Sequence, residues 1–457
     1  MNLIYQNLTI RNAHPADAMQ LCAWWNDGHI MAHAGFPNGL NQTAEAVAKN
    51  LATDSDETGR RHIIVYDSTP IGEMNYRNQG SGTAEIGIKI CVATQRDKGI
   101  GTILLAMFID ALFVYYGYEK IILDTNANNL RAQHVYEHKL GFARVGFREN
   151  SWQDQLGAWQ SAIDYEMTKA AWQARQDAPP AYLHLRPETP ADHHAVEAMT
   201  RDAFWTICHS AEPRICDEHL LVHRLRSCPS YVPALNYVAE LNGTLVGHII
   251  YATSHIVADD GTQHEVLTFG PLTVAPAYQG QGIGQTLMRH TFEVARQLGY
   301  RAIVIFGHPD YYPRMGFRRA AEFGITTADG GNFDAFMVMP LYVGALDEVQ
   351  GRFQLNPVYE SLTTEDALAF DRRFPPRVMH VPVSVDVLLP RLAPAARATI
   401  EGLSEKSLVL LSTKSQRELA ALEGIDALAL DTIRTVMQEY GLRWGAAKET
   451  SLYTNGG

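Results

Sequence analysis

Gln279-Gly280-Gln281-Gly282-Ile283-Gly284-Gln285 follows an apolar run at residues 266–274, and it has a counterpart in Gln95-Arg96-Asp97-Lys98-Gly99-Ile100-Gly101-Thr102, which follows residues 84–92. Each run reads as a strand, each glycine pair as a turn, and the stretches 101–116 and 283–298 as helices. A glycine turn entered from a strand and left as a helix aims several backbone N–H groups, and the positive end of a helix dipole, at one point. That is a cradle for an anion such as a pyrophosphate. Side chains at Gly99, Gly101, Gly282 or Gly284 would obstruct it. The spacing matches neither GxGxxG nor GxxxxGK[ST]. Each copy is also trailed by a tyrosine ahead of a Gly-Phe pair: Tyr136 before Gly141-Phe142, and Tyr312 before Gly316-Phe317.

Working outward, the same order of elements occurs twice, which indicates a duplicated domain rather than a solenoid. A strand enters a helix near Pro15-Ala16-Asp17; strands at 62–67 and 71–76 follow across Ser68-Thr69-Pro70, and a strand at 120–124 and a helix at 129–138 close the first unit. The second restarts with a strand at 183–187, a helix opened by Pro190-Ala191-Asp192, and a strand at 302–306. Between them, Gln173-Ala174-Arg175-Gln176-Asp177-Ala178-Pro179-Pro180 is polar and ends in a proline pair, as a linker does. The expected map is a first domain at 1–172, a linker at 173–182, a second domain with an extension at 183–382, a helical module at 383–447 and a tail at 448–457. Strand–helix alternation predicts an α/β class in which a mixed central sheet carries flanking helices.

A chain of 457 residues, 46% hydrophobic and 19% charged, is an ordinary soluble composition. The formal charge of −12 argues against a nucleic-acid partner and favours amine-bearing ones. There is no apolar run long enough for a bilayer and no signal-peptide pattern, so the expected location is cytoplasmic, with no membrane partner. Five cysteines without a CxxC pair suit a reducing compartment. Cys208, His209, Cys216, His219, His223 and Cys228 have the residue types of a zinc site, but 218–225 reads better as an amphipathic helix with solvated histidines. No metal is expected.

Arg96-x-x-Gly99-x-Gly101 and Gln279-x-x-Gly282-x-Gly284 both fit the [Q/R]xxGx[G/A] signature, and the chain resembles the GNAT superfamily of acyl-CoA-dependent acyltransferases over roughly residues 5–170 and 182–345. The first unit is similar to the ribosomal-protein and spermidine acetyltransferase branch through Ala84-Glu85-Ile86-Gly87-Ile88, Asn126-Ala127-Asn128-Asn129-Leu130-Arg131-Ala132 and Tyr136-Glu137. The second is similar to a branch of predicted acetyltransferases through Phe269-Gly270-Pro271-Leu272-Thr273-Val274 and 308–317. The resemblance implies two GNAT folds and acetyl-CoA as cosubstrate. It assigns coenzyme binding to Cys91, Val92, Arg96, Lys98, Gly99, Ile100, Gly101, Thr102 and Asn129 in the first unit. In the second it assigns Thr273, Val274, Gln279, Gly280, Gln281, Gly282, Ile283, Gly284 and Gln285.

Acetyl transfer from a thioester to an amine needs a neutral nucleophile, a polarised carbonyl and a protonated leaving thiol. The family position for the acid is held by Tyr136 and Tyr312. Tyr312 keeps the usual interval to its glycine, whereas Tyr136 has one residue more; transfer is expected in one or both units, and the alternative is that one of them, the first with its shifted tyrosine rather than the second, has become a scaffold. N–H groups near Cys91–Val92 and Thr273–Val274 are expected at the thioester carbonyl. Glu85 is the expected base of the first unit, with Glu73 second; His255, His264 and Glu265 stay open for the second. The acceptor is a primary amine of a small molecule or a protein, and a homodimer is an option.

Residues 404–445 resemble the helix-hairpin-helix C-terminal domain of bacterial RNA polymerase α subunits. Gly424-Ile425-Asp426-Ala427-Leu428 lacks the lysines that family sets at phosphates, so a protein contact is expected rather than nucleic acid. The alternative class of function is a regulatory adaptor targeted through this module.

Overall fold

A computed structural model describes residues 1–96, 98–175, 179–205, 216–376, 384–403, 408, 411, 414 and 416–439. They fall into two compact units, the first being Met1–Arg186 with Glu240–Thr244, the second the remainder. Among the described residues no helix is long and apolar enough to cross a membrane.

The first unit is built on strands β1 (Asn2–Tyr5), β2 (Leu8–Asn12), β3 (Gly59–Tyr66), β4 (Thr69–Asn78), β5 (Thr83–Ile90), β6 (Lys120–Asn126), β7 (Ala143–Gln153) and β8 (Trp159–Thr168). The first five form an antiparallel meander, β6 joins β5 in parallel, β8 lies antiparallel to β6, and β7 is the outer neighbour of β8. The β3–β4 turn is Asp67-Ser68, both at positive φ, as a two-residue hairpin requires. It therefore comes earlier than the expected Ser68-Thr69-Pro70, and Pro70 sits in β4 at a ladder irregularity, where a missing N–H does least harm.

Helices α1 (Ala18–Asn26), α2 (Ala44–Leu51), α3 (Ile100–Val114) and α4 (Leu130–His134) cover this sheet. Thr43 starts α2 by accepting a hydrogen bond from the Ala46 amide at 3.2 Å. The α3 sequence IGTILLAMFIDALFV is apolar on every side, and Leu104, Met107, Phe108, Ile109 and Leu112 are all fully buried. It belongs to one core with Ile10, Ile64, Met74 and Ile121.

Two features of β5 position the site. It pairs with β6 only through Thr83–Glu85 against Lys120–Ile122, after which the two parallel strands part company. The cleft between them opens at Ile86 and points toward the glycine loop. At its end, the Cys91 and Val92 amides both donate to the Ile71 carbonyl, at 2.8 and 3.1 Å.

The second unit repeats the scheme. In chain order β9 (Leu183–Pro187), nearly all of which counts with the first unit, is followed by α5 (His193–Phe204), α6 (Glu218–Leu225) and β10 (Tyr237–Leu241), whose last two residues also count with the first unit; the long hairpin β11 (Thr244–Val257) and β12 (Gln263–Val274) then leads to α7 (Ile283–Gln297), β13 (Ala302–Phe306), β14 (Phe336–Pro340) and β15 (Gly351–Gln354). The parallel β12–β13 pair touches only at Leu267 and Ile303, so these strands diverge too. Unlike α3, α7 buries a single stripe, Ile283, Leu287, Met288, Thr291, Phe292 and Ala295.

An extension then folds back on this unit. Its α8 (Thr364–Asp371) is held by a bidentate pair from buried Arg201 to Asp371, at 2.6 and 3.0 Å. Beyond it, α9 (Pro394–Gly402), α10 (Gln416–Ala420) and α11 (Ala427–Glu439) share an apolar cluster that includes Ile400, Leu419, Ile433 and Val436. Asp426 caps α11, accepting from the Ala429 amide at 2.8 Å, which gives that acidic residue a local structural reason.

Candidate active site

In the first unit, the diverging ends of β5 and β6, the glycine loop and α4 enclose a cavity of about 1020 Å³. Of the expected coenzyme residues, Arg96, Gly99, Ile100, Gly101, Thr102 and Asn129 line it, together with Tyr136. Gly99 takes φ +75 as the residue before α3, and the Thr102 amide closes on its carbonyl at 3.1 Å. The amides of Ile100 and Gly101 lie in the first helical turn, where no intrahelical acceptor exists. Gly101 has no unusual φ, and a Cβ built there would meet nothing within 4 Å. The fold itself has room for a side chain at that point, so packing within the chain does not demand the glycine.

Arg96 works as a brace rather than a ligand arm: its Nε donates to the Ile90 carbonyl at 2.9 Å and its Nη2 to the Cys91 carbonyl at 3.2 Å. Gln279 repeats the role in the second unit, with Nε2 donating to the Val274 carbonyl at 3.1 Å. Lys98 is exposed and is not itself a wall residue; it donates to Gln95, which is, at 3.2 Å. Cys91 and Val92 do not line the cavity, and their amides, expected at a thioester carbonyl, are spent on Ile71. Burial pushes the Cys91 thiol up to about 12, so it is chemically quiet.

Tyr136 sits in a π turn, Val135–Lys139, closed by the Leu140 amide on the Val135 carbonyl at 2.9 Å. Such a turn absorbs one inserted residue, which accounts for the longer interval to Gly141. Burial raises the Tyr136 phenol to about 12, with Asp124 adding to the shift.

Two carboxylates stand on the wall, Asp124, which pairs with Arg148, and Glu73. Glu73 is buried and accepts from Trp25 Nε1 at 2.8 Å and Lys89 Nζ at 3.0 Å. Glu85, the expected base, is not on the wall: it lies in the paired part of β5 opposite Ile122, below the point where the strands part, and accepts from Gln79.

In the second unit the cavity at Tyr312 measures only about 20 Å³, room for about one water. Its wall includes Phe269, Gly270, Leu272, Glu218 and Tyr359, the last donating its hydroxyl to the Thr268 carbonyl at 3.1 Å. Gly280 and Gly282 take φ +76 and +82, and Ile283, Gly284 and Gln285 begin α7. At Gly284 a Cβ would make ordinary contacts with Leu272, Tyr311 and Val274. Gln281 bonds back to the Ala277 carbonyl, and Thr273 pairs with Thr200 in the interior at 3.0 Å. The candidate bases His255, His264 and Glu265 lie near the turn of the β11–β12 hairpin and do not reach the Tyr312 cavity. Glu218, which does, was not anticipated; its only signal was an acid in the first turn of α6.

Among the described residues no group of His, Cys, Asp and Glu could hold a metal, while Cys208 and His209 lie outside them. His219 is fully buried rather than solvated, packed on Phe370 and Phe374, whereas His223 pairs with Glu197 at 2.9 Å.

Two family models match the chain: an acetyltransferase (GNAT) domain over residues 7–143 and the acetyltransferase (GNAT) family over residues 198–317, together more than half of it. The uncharacterized N-acetyltransferase YjhQ of Escherichia coli is 39% identical over 103 residues, which are 22% of this chain and 55% of that protein. The chain thus spans about half the length of that relative. The uncharacterized N-acetyltransferase YhbS of Escherichia coli is 28% identical over 167 residues, 36% of this chain and 92% of that one. A crystal structure of YhbS in complex with CoA aligns at 25% identity and a TM-score of 0.35, covering 41% of this chain and 98% of that one. The chain therefore belongs to the GNAT acetyltransferases, with two such domains in its sequence.

Proposed function

We propose that the first unit is the transfer site and moves an acetyl group from acetyl-CoA to a primary amine, while the second unit serves mainly as a scaffold. This reverses the assignment suggested by the tyrosine spacing. The observation that carries it is the cavity of about 1020 Å³ joining the glycine loop, Tyr136 and Glu73, against about 20 Å³ at Tyr312. Ligand pockets typically measure about 300–1,000 Å³.

In this reading the Gly99–Thr102 backbone holds the pyrophosphate, Arg96 keeps the loop in shape, and the thioester arm lies between β5 and β6. Glu73, oriented by Trp25 and Lys89, receives the proton of the attacking amine. Tyr136 donates a hydrogen bond to the departing sulfur. A phenol near 12 would lose its proton to a thiolate of about 8.5 only at a cost of about 5 kcal/mol. Tyr136 therefore stabilises the leaving group as a hydrogen-bond donor, and the proton that ends on sulfur originates on the amine. Holding both reactants in one cleft supplies much of the remaining acceleration.

For the C-terminal helices, a protein contact is the reading we favour over nucleic acid, because the Gly424–Asp426 turn carries a capping carboxylate where a phosphate contact would need cations. Thiol release from acetyl-CoA with a panel of primary amines tests the main proposal. It should require an intact Gly101 and an intact Tyr136; turnover that depends only on Tyr312 would contradict it.

A further inference from the structure

Part of the first unit's cavity wall comes from two segments far apart in sequence. Residues 28–40 contribute Ile30, His33 and Ala34, and the end of β7 contributes Trp152. Gln155 clasps them together. Its Oε1 accepts from the Asn38 amide at 2.9 Å, its Nε2 donates to the Gly39 carbonyl at 2.8 Å, and its own amide donates to the Gly35 carbonyl at 2.9 Å. The indole of Trp152 closes on Gly35 so tightly that a Cβ there would fall 2.2 Å from Cζ3. Gly35 also takes φ +89, so the contact is built around a glycine.

We propose that Trp152, held by this clasp, is the specificity-determining wall of the acceptor pocket and selects primary amines that carry a ring over linear polyamines. The inference rests on the assignment of the first cavity as the transfer site. Two observations carry it. An indole fixed from behind offers a rigid, flat apolar surface on which a ring packs with little loss of freedom. The described wall is also ill suited to a polycation: its carboxylates, Glu73 and Asp124, are paired with Lys89 and Arg148, and Lys89, Arg96 and Arg131 outnumber them. A second or third ammonium would find no spare carboxylate there, whereas a monoamine needs only one.

The test measures thiol release from acetyl-CoA by the full chain with 2-phenylethylamine, glucosamine and spermidine. At least one ring amine should exceed spermidine by about tenfold or more in kcat/KM, with an aromatic or a sugar ring distinguished by which responds. Trp152→Ala should reduce that ratio to about threefold or less. Gln155→Ala should raise the ring-amine KM about tenfold with kcat and the acetyl-CoA KM unchanged, a split that general unfolding would not give. Spermidine used as well as the ring amines, a ratio that survives Trp152→Ala, or no turnover of either ring amine by a chain that binds acetyl-CoA would overturn the inference. Loss of turnover in Gly101→Glu together with any of these leaves the transfer site standing and removes only the role of Trp152. Turnover that survives Gly101→Glu removes both.

Discussion

The Phe142 amide donates to the Tyr136 carbonyl at 2.8 Å, and this bond closes the turn that presents the tyrosine to the cavity. In the second unit the Phe317 amide closes on the Tyr312 carbonyl at 3.4 Å with one residue fewer between them. Each tyrosine also packs on the phenylalanine that closes its turn, with ring centroids 5.9 and 5.5 Å apart. The two tyrosines are thus equivalent, and the extra residue in the first unit is taken up by the π turn. Deleting the exposed His138 should restore an ordinary turn and leave thiol release within about threefold of wild type. A loss of a hundredfold or so in a folded variant would show that the inserted residue itself positions Tyr136.

Arg96→Ala removes two charge-assisted bonds to the carbonyls that end β5, each worth about 1.5–3 kcal/mol. The loop should lose its shape before the chemistry suffers. The expected result is an acetyl-CoA KM raised by about tenfold to a hundredfold, with the pH dependence of kcat unaltered. Steady-state kinetics with varied acetyl-CoA checks it.

Tyr136→Phe should lower kcat by about a hundredfold while acetyl-CoA still binds. Because burial raises the phenol to about 12, the wild-type rate should climb with pH as the amine loses its proton, near 10.4 for an alkylamine, without a falling limb from Tyr136 below about pH 11. For stability the sign is the opposite of that of a carboxylate whose pKa is held down by a cation. The unfolded tyrosine ionises first, so the contribution of the protonated phenol is present below pH 10 and fades as pH rises toward 12.

His248 makes the second unit sensitive to acid. It is fully buried, its Nε2 lies 2.8 Å from Asn236 Oδ1, and burial lowers it to about 4 despite the nearby Glu188. Unfolding frees it to bind a proton below about 6.5, so stability falls as pH drops from 6.5 to 4, by on the order of 3 kcal/mol. Urea midpoints at pH 7.5 and 4.5 should differ, and His248→Gln should reduce the difference. An unchanged difference would place the acid sensitivity in another group.

The repeated strand–glycine–helix order and the Tyr–Gly–Phe trailers are local signals, and they lead directly to two GNAT domains. What was not legible depends on where strands meet and part. Glu85 and Glu73 are both acidic residues on strands, but only the divergence of β5 from β6 beyond Glu85 tells which of them faces the cleft. Cys91 and Val92 stand beside the loop, yet a contact with Ile71 uses their amides. His219 fits a solvated stripe in a helical projection, but Phe370 and Phe374, brought back by the extension, bury it. The Gln155 clasp joins residues more than a hundred positions apart, so nothing in the local pattern announces it.

The central claim, that the first unit carries the chemistry, is tested most directly by the rate of thiol release from acetyl-CoA in Gly101→Glu and Tyr312→Phe under one saturating amine. The Gly101 Cβ position is empty and lies in the first turn of α3, where an acidic side chain suits the helix dipole, so Gly101→Glu should fold while repelling the pyrophosphate. The account predicts that Gly101→Glu loses turnover by about a thousandfold and Tyr312→Phe keeps it within about twofold. Turnover retained in Gly101→Glu and lost in Tyr312→Phe would contradict it.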